Sequence, residues 1–271
     1  MSSPVNRIDP AEVDGDLRAR LGFWLRNDAA HLLWPVRCVA CGDPGDDGND
    51  LCAACVATVP WNTSACMRCA IPLPLPRRLA DGTTADVLQA AHACGACLAR
   101  AAGPVRHAPL TEVRAACIYA APVDRLLLRF KFHHDLAAGA LLAQLMAQAL
   151  ATAPRPDAVL PVPLHPGRLR RRGYDQALEL ARPLARALDL PLLEGALRRV
   201  RATAAQSQLY ADQRRRNVRQ AFAVPAAQGL PAHVALVDDV MTTGATLHAA
   251  ALTLRRAGVR RVDAWVCARV A

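Results

Sequence analysis

Lysine is nearly missing from this chain. Of its 33 basic residues only Lys131 is lysine, and alanine is abundant, the pattern that GC-rich coding leaves. Arginine inflation of this kind raises the isoelectric point, here about 9.6, without requiring a nucleic acid. The formal charge of +10 is therefore compatible with a polyanionic partner but does not point to one. Aromatic residues make up 4%, which leaves a base-stacking platform for single strands poorly supplied. The longest apolar stretch, residues 137–153, carries Gln144 and Gln148 and is short for a membrane span. The opening residues, MSSPVNRIDPAEVDGD, lack the basic start and apolar core of a secretory signal. Cytoplasmic location with reduced thiols is the expectation. Neither a Gly-Lys-Ser/Thr phosphate loop nor a dinucleotide GxGxxG occurs.

Cysteine, by contrast, is concentrated. Eight of the ten cysteines form four C-x-x-C pairs: Cys38/Cys41, Cys52/Cys55, Cys66/Cys69 and Cys94/Cys97. Each pair can present two thiolates to one tetrahedral ion, and two pairs complete a four-cysteine zinc site. Sequential grouping is the simplest arrangement, with one ion on the first two pairs and a second on the last two; interleaved grouping satisfies the same spacing. Large apolar residues are few here, so metal supplies stability that a core cannot. Disulfides or a redox dithiol are the alternatives, but four pairs fit a structural role better than a catalytic one. Cys117 and Cys267 sit in apolar runs and read as core residues.

A second concentration of signal is HVALVDDVMTTGATL, residues 233–247. Val234–Val237 reads as a buried strand, and the adjacent carboxylates Asp238 and Asp239 fall where it should surface. Thr242, Thr243, Gly244, Ala245 and Thr246 form a small-residue turn. Leu247, Ala250, Ala251, Leu254 and Ala257 then recur at helical spacing until Gly258. Loop and helix N-terminal amides can hold a phosphate. The threonine hydroxyls add donors, and the carboxylates can accept from sugar hydroxyls or help hold Mg2+. A surface turn with two solvated acids is the bland alternative, and it has no need for this order of small residues.

The rest of the chain alternates. A stripe of Leu17, Leu21, Trp24, Leu25 and Leu32 suggests a helix starting near Asp9-Pro10 and ending at Leu33. Strands are expected at 113–119, 158–163, 222–224, 234–237 and 261–267, with an edge strand at 192–197. Helices are expected at 122–130, 136–150 and 174–188, the last kinked or broken by Pro183. Residues 201–220 read as a polar loop plus short helix able to close over a phosphate ligand. After the strand ending in Pro161-Val162-Pro163 come His165, Arg168, Arg170, Arg171 and Arg172, a cluster suited to pyrophosphate oxygens; a solvated basic helix face is the alternative. Lys131, the lone lysine, suits a point-charge task or is a chance survivor on the surface. The pattern is an α/β fold, a parallel sheet flanked by helices with ligand at the strand C-termini.

VALVDDVMTTGAT resembles the PRPP-binding motif of type I phosphoribosyltransferases. The whole order resembles the ComF-type competence-protein family, through the CxxC pairs, LLLRFKFHHDLA (126–137), PVPLHPGRLRRRGYDQA (161–177), QSQLYADQRRRNVRQAF (206–222) and VDDVMTTGAT (237–246). The resemblance, which runs from about Cys38 to the end, implies a type I phosphoribosyltransferase-like parallel sheet over residues 103–271 and a double zinc-ribbon module over 34–102; residues 1–33 read as a tail and helix from their own pattern. It implies that Asp238 and Asp239 contact the ribose hydroxyls while Thr242–Thr246, including Gly244 and Ala245, cup the 5′-phosphate. Pro163, Leu164, His165, Arg168 and Arg172 would lie on the pyrophosphate side. Gln206, Arg214 and Asn217 would lie in a mobile active-site segment. The candidates for catalysis are Asp238, Asp239, Lys131 and Arg214. Implied cofactors are structural Zn2+, one or two ions, and Mg2+ with PRPP. Implied partners are single-stranded DNA and cytoplasmic import proteins, in DNA uptake. Two residues depart from the family pattern: Asp175 stands where asparagine is usual, and Tyr210 where a small residue is common.

Overall fold

The computed structural model describes residues 37–45, 50–74, 93–101, 108–201, 221–225 and 229–271. The N-terminal helix expected before Leu33 and the segment bearing Gln206, Tyr210, Arg214 and Asn217 lie outside these. The chain divides into two compact units, Met1–Ala57 and Thr58–Ala271.

In the first unit, Cys38 and Cys41 sit on a tight turn in which the Gly42 N–H reaches the Cys38 carbonyl at 2.8 Å. Gly42 takes φ +84°, which a residue without Cβ adopts freely. Helix α1 (Ala53–Ala57) starts directly after Cys52. Among its described residues only Cys38 and Leu51 are buried apolar side chains, too few for a self-sufficient core.

The second unit begins with another cysteine turn and the short helix α2 (Gly95–Ala101). The α/β body follows as β1 (Val113–Ile118), α3 (Val123–Phe132), α4 (Leu136–Leu150), β2 (Ala158–Pro161), α5 (Pro166–Arg172), α6 (Gln176–Ala187), β3 (Arg198–Arg199), β4 (Phe222–Ala223), β5 (His233–Met241), α7 (Ala245–Arg256) and β6 (Arg261–Arg269). Four strands pair in parallel in the order β1-β6-β5-β2, while β3 and β4 pair antiparallel in a separate two-stranded ladder. Strands covered on both faces read as continuous apolar runs, and Val234–Val237 are all buried. Val234 and Leu236 share a core with Leu247, Ala250 and Leu254 of α7. Ala235 and Val237 face the other way, the side on which α4 and α6 pack against the sheet.

β1 is an edge strand, and the second cysteine segment covers it. Asn62 N–H donates to the Ala116 carbonyl at 3.0 Å, Ile118 N–H to Pro60 at 2.8 Å and Val113 N–H to Met67 at 2.7 Å. Edge amides are thereby satisfied without an outside strand. At the N-terminal ends of the strands, Arg261 bridges Glu112 and Asp263, and Asp263 also meets His233 at 2.7 Å. The opposite, C-terminal ends carry the cleft described below.

Three sequence expectations are corrected. β5 runs to Met241, so Asp238 and Asp239 lie inside a paired strand rather than beyond it; neighbouring β6 is long enough to pair with them. Residues 192–197 form no strand and contribute one parallel bridge, Leu192 to Val159; the paired residues are Arg198 and Arg199. Pro183 does not end α6. The helix runs on to Ala187 with its apolar face buried at Leu180, Ala181, Leu184 and Ala185, and that tertiary packing outweighs one lost amide hydrogen bond. Cys117 and Cys267 are fully buried, and burial pushes the Cys117 thiol up to about 12, as expected for inert core residues.

Candidate functional site

Two neighbouring strand ends open the cleft. Just past β2, the Val162 N–H bonds the Val237 carbonyl of β5 at 2.9 Å, so Pro163-Leu164 emerges beside Asp238-Asp239. His165 caps α5, its Nδ1 accepting from Gly167 N–H at 3.1 Å, and Pro166 occupies the first turn, where a missing amide is harmless. Gly173 at φ +79° ends the helix. Asp175 caps α6 by accepting from Ala177 at 3.0 Å and Leu178 at 3.4 Å, while its other oxygen takes the Leu164 N–H at 2.9 Å. One carboxylate thus pins the emerging loop to the next helix. This accounts for an aspartate where the resemblance leads one to expect asparagine: it accepts three backbone amides.

The cavity at these strand ends has a volume of about 290 Å³. Of the residues expected in a site, Lys131, Pro163, Leu164, Arg168, Arg172, Asp238, Asp239 and Thr242 to Thr246 all line it. His165 does not, being occupied as a helix cap. Gln206, Arg214 and Asn217 lie outside the described residues.

The acids do not behave alike. Lys131 Nζ lies 2.9 Å from Asp239 Oδ2, an ion pair in which both side chains are largely buried. Asp238 accepts the Asp239 N–H at 2.9 Å. Desolvation, then the neighbouring Asp239 charge, push its carboxyl up to about 8, against which the Asp239 amide and Lys131 pull. Asp175 is raised too, by burial first and with a contribution from Asp239. An anion-rich strand end beside a guanidinium cluster suits a ligand with both a diol and phosphates, with or without a divalent cation between them.

α7 starts on Gly244, which takes φ +74° and offers no side-chain cap. Of its first-turn amides, Ala245 N–H donates to Thr243 Oγ1 at 3.4 Å, and a helix N-terminus of this kind can accept an anion. A Cβ on Gly244 would meet Met241 Cε, the movable end of a flexible side chain, so the left-handed backbone is the constraint that demands glycine. Gly244→Ala should cost about 1–2 kcal/mol from the left-handed backbone. Thermal melts should show the loss, and a melting temperature equal to wild type would contradict this account of the loop.

Sequence reasoning alone does not find two of the cleft residues. Arg199, 9% exposed, stands on β3 with its guanidinium 5.4 Å from the Phe222 ring centroid; burial, then the Arg168 charge, lower its pKa, and Asp238 opposes them. A charged residue flanked by apolar ALRRV is the available signal. Gln176 is 2% exposed and its Oε1 accepts from Arg172 at 2.7 Å, while its Nε2 has no acceptor among the described residues. Its helix periodicity reads as ordinary.

The cysteines form two quartets in sequential order, Cys38/Cys41/Cys52/Cys55 and Cys66/Cys69/Cys94/Cys97, each with all sulfurs within 4.8 Å of one another. Cys41 and Cys52 are 3.7 Å apart, as are Cys69 and Cys94. A tetrahedron with Zn–S bonds of about 2.3 Å has edges of about 3.8 Å, so the quartets fit zinc in both donor type and size. Within them, burial raises Cys38 and Cys66, but backbone amides outweigh it and bring these thiols to about 6 and about 7.

Fold and quartets define a class: a two-site zinc protein in which a cysteine ribbon precedes a parallel α/β sheet with a polar cleft at its strand ends. The double zinc ribbon domain family matches residues 29–98. Competence protein F of Haemophilus influenzae is 40% identical over 159 residues, 56% of this chain and 69% of that protein. DNA utilization protein YhgH of Salmonella typhi is 32% identical over 226 residues, 81% of this chain and 90% of its own. The Escherichia coli K12 YhgH is 30% identical over 249 residues, covering 88% and 99%. This chain belongs to the ComF-type competence-protein family. Among the described residues no helix is long and apolar enough to cross a membrane.

Proposed function

We propose that the strand-end cleft binds Mg2+-PRPP and that the protein serves DNA uptake in the cytoplasm. One observation carries the ligand: the Asp238/Asp239 pair, a left-handed Gly244 and the uncapped start of α7 share one cavity with Arg168 and Arg172. In this reading the ribose hydroxyls donate to Asp238 and Asp239. The 5′-phosphate accepts from the Thr242–Thr246 amides and hydroxyls, and the pyrophosphate lies toward Leu164, Arg168 and Arg172. Lys131 balances the charge of Asp239 through one carboxylate oxygen, leaving its other oxygen and Asp238 to the sugar. Turnover would break the C1–O bond to pyrophosphate and form a bond from C1 to an amine or base acceptor, with the arginines taking up the leaving group's charge. No nucleophile from the protein is needed. The DNA-uptake role rests on relatives named for competence and DNA utilization. Calorimetric titration of Mg2+-PRPP into zinc-loaded protein should give saturable, stoichiometric binding, followed by acceptor-dependent pyrophosphate release if the site is catalytic. Heats no larger than dilution would refute the ligand.

A second reading, a binding module for single-stranded DNA with PRPP as a regulatory ligand, is favoured by one side chain. Phe132, next to Lys131, is 61% exposed with the Arg172 guanidinium 5.8 Å from its ring centroid, an arrangement suited to stacking a base and holding its phosphate. Fluorescence anisotropy with an oligothymidine should report salt-sensitive binding that weakens about tenfold in Phe132→Ala. Binding equally tight in the variant would remove this surface from consideration.

A further inference from the structure

The second cysteine quartet and the cleft are joined by one arginine. Arg269, the last residue of β6, is 9% exposed. Its Nε donates to the Cys69 carbonyl at 2.7 Å and its Nη1 to the Met241 carbonyl at 3.2 Å, with a further bond to the Val270 carbonyl. The Val270 N–H reaches the same Met241 oxygen at 3.1 Å. Met241 closes β5 and directly precedes the Thr242–Thr246 loop. Its side chain, 2% exposed, lies so close over Gly244 that a Cβ there would overlap it. An unbroken line of contacts therefore runs from the Cys66-x-x-Cys69 knuckle, through a guanidinium and a carbonyl, to the residue on which α7 starts.

The knuckle end of that line is held by the quartet. Cys66 carbonyl accepts from Cys69 at 3.3 Å and Ala70 at 2.7 Å, and Ala70 takes φ +53°, a conformation that alanine adopts only at a cost. Four sulfurs on one ion stabilise such a turn. A guanidinium is the group for the link, because its rigid fork reaches two separate carbonyls at once.

We propose that Arg269 is a positioning residue through which the second zinc knuckle fixes the Met241–Gly244 segment. The order of the anion-binding loop then depends on metal at Cys66, Cys69, Cys94 and Cys97, and not on metal at the first quartet. The ligand side of this inference rests on the PRPP reading; the coupling itself does not.

The test uses the full-length, two-zinc protein and reads hydrogen–deuterium exchange in peptides covering 238–247 and 234–237, together with zinc content and Mg2+-PRPP titration. Arg269→Lys keeps the charge but offers one point donor instead of a fork. It should retain two zinc ions, leave 234–237 protected, and speed exchange in 238–247 by about tenfold. Mg2+-PRPP binding should weaken by a similar factor. In wild type under graded chelation, loop exchange should rise with loss of the second-quartet ion, whereas Cys41→Ser, which removes first-quartet metal, should leave the loop protected. Loop protection unchanged from the two-zinc wild type, either in Arg269→Lys or in protein stripped of the second ion, would overturn the proposal. So would an equal rise across all of β5, which marks general destabilisation. If Mg2+-PRPP does not bind wild type, the functional reading falls while the exchange data still decide the coupling.

Discussion

Asp238→Asn is expected to raise the melting temperature of the ligand-free protein at pH 8 while abolishing Mg2+-PRPP binding. The folded chain holds the Asp238 proton up to about pH 8, against an ordinary value of 3.8. Between those values the folded state binds more protons than the unfolded state, so this group's contribution to stability falls as pH rises. The whole cost is present above pH 8 and is absent below the ordinary carboxylate range. Asparagine keeps the oxygen that accepts the Asp239 N–H and removes the charge that is desolvated and repelled by Asp239. Water in the cleft tempers the cost, so a gain of about 2 kcal/mol is reasonable. For a unit of this size that is roughly 4–8 °C. Near pH 4 the gain should vanish, since wild-type Asp238 is then neutral in the fold. The binding loss has the opposite origin. An amide is a weaker acceptor for a ribose hydroxyl and a poor Mg2+ ligand, and weakening both of these charge-assisted interactions should lower affinity by about 100-fold or more. Melts at pH 4 and 8, with titrations at pH 8, check both halves. A lower melting temperature at pH 8 would contradict the buried-charge account, and retained binding would contradict the sugar role of Asp238.

Removing zinc should have the next largest effect, and an uneven one. Structural zinc contributes about 10 kcal/mol to folding small ribbons. The described part of the first unit buries only Cys38 and Leu51 as apolar side chains, so chelation should unfold residues 37–57. The α/β sheet has its own core around Leu236, Leu254 and Val266 and should stay folded. Acidification should act in the same direction, because ligand thiols must lose protons to bind metal. A metal-binding dye should count two ions per chain, and limited proteolysis should cut the first unit after chelation while sparing the sheet. One ion per chain, or a first unit still resistant to proteolysis without metal, would contradict this division.

Much of this was legible because the relevant relations are local. A C-x-x-C pair forms its turn within four residues, so a zinc-binding cysteine module was readable from spacing, while the sequential grouping into two quartets came from the structure. The order of strand, acids, small-residue turn and helix within residues 233–257 is also local, and Val234–Val237 and the helix after Gly244 are where their patterns put them. The errors came from neighbours distant in sequence. Asp238 and Asp239 belong to β5 because β6 extends alongside them. Arg198 and Arg199, not 192–197, form the strand because Phe222 and Ala223 pair with them.

By itself, then, the sequence determined that this is a metal-stapled cysteine ribbon ahead of a parallel α/β sheet, and it named most of the residues at the sheet's C-terminal end. The tertiary structure alone decided the partners of those residues. Lys131 on α3 meets Asp239 on β5, and Arg269 reaches the Cys69 carbonyl across 200 residues. Neither pairing leaves a period or a motif in the chain, because both depend on which elements lie side by side. The order β1-β6-β5-β2 is set by burying both faces of every strand at once. That is a property of the packed core as a whole and not of any segment within it.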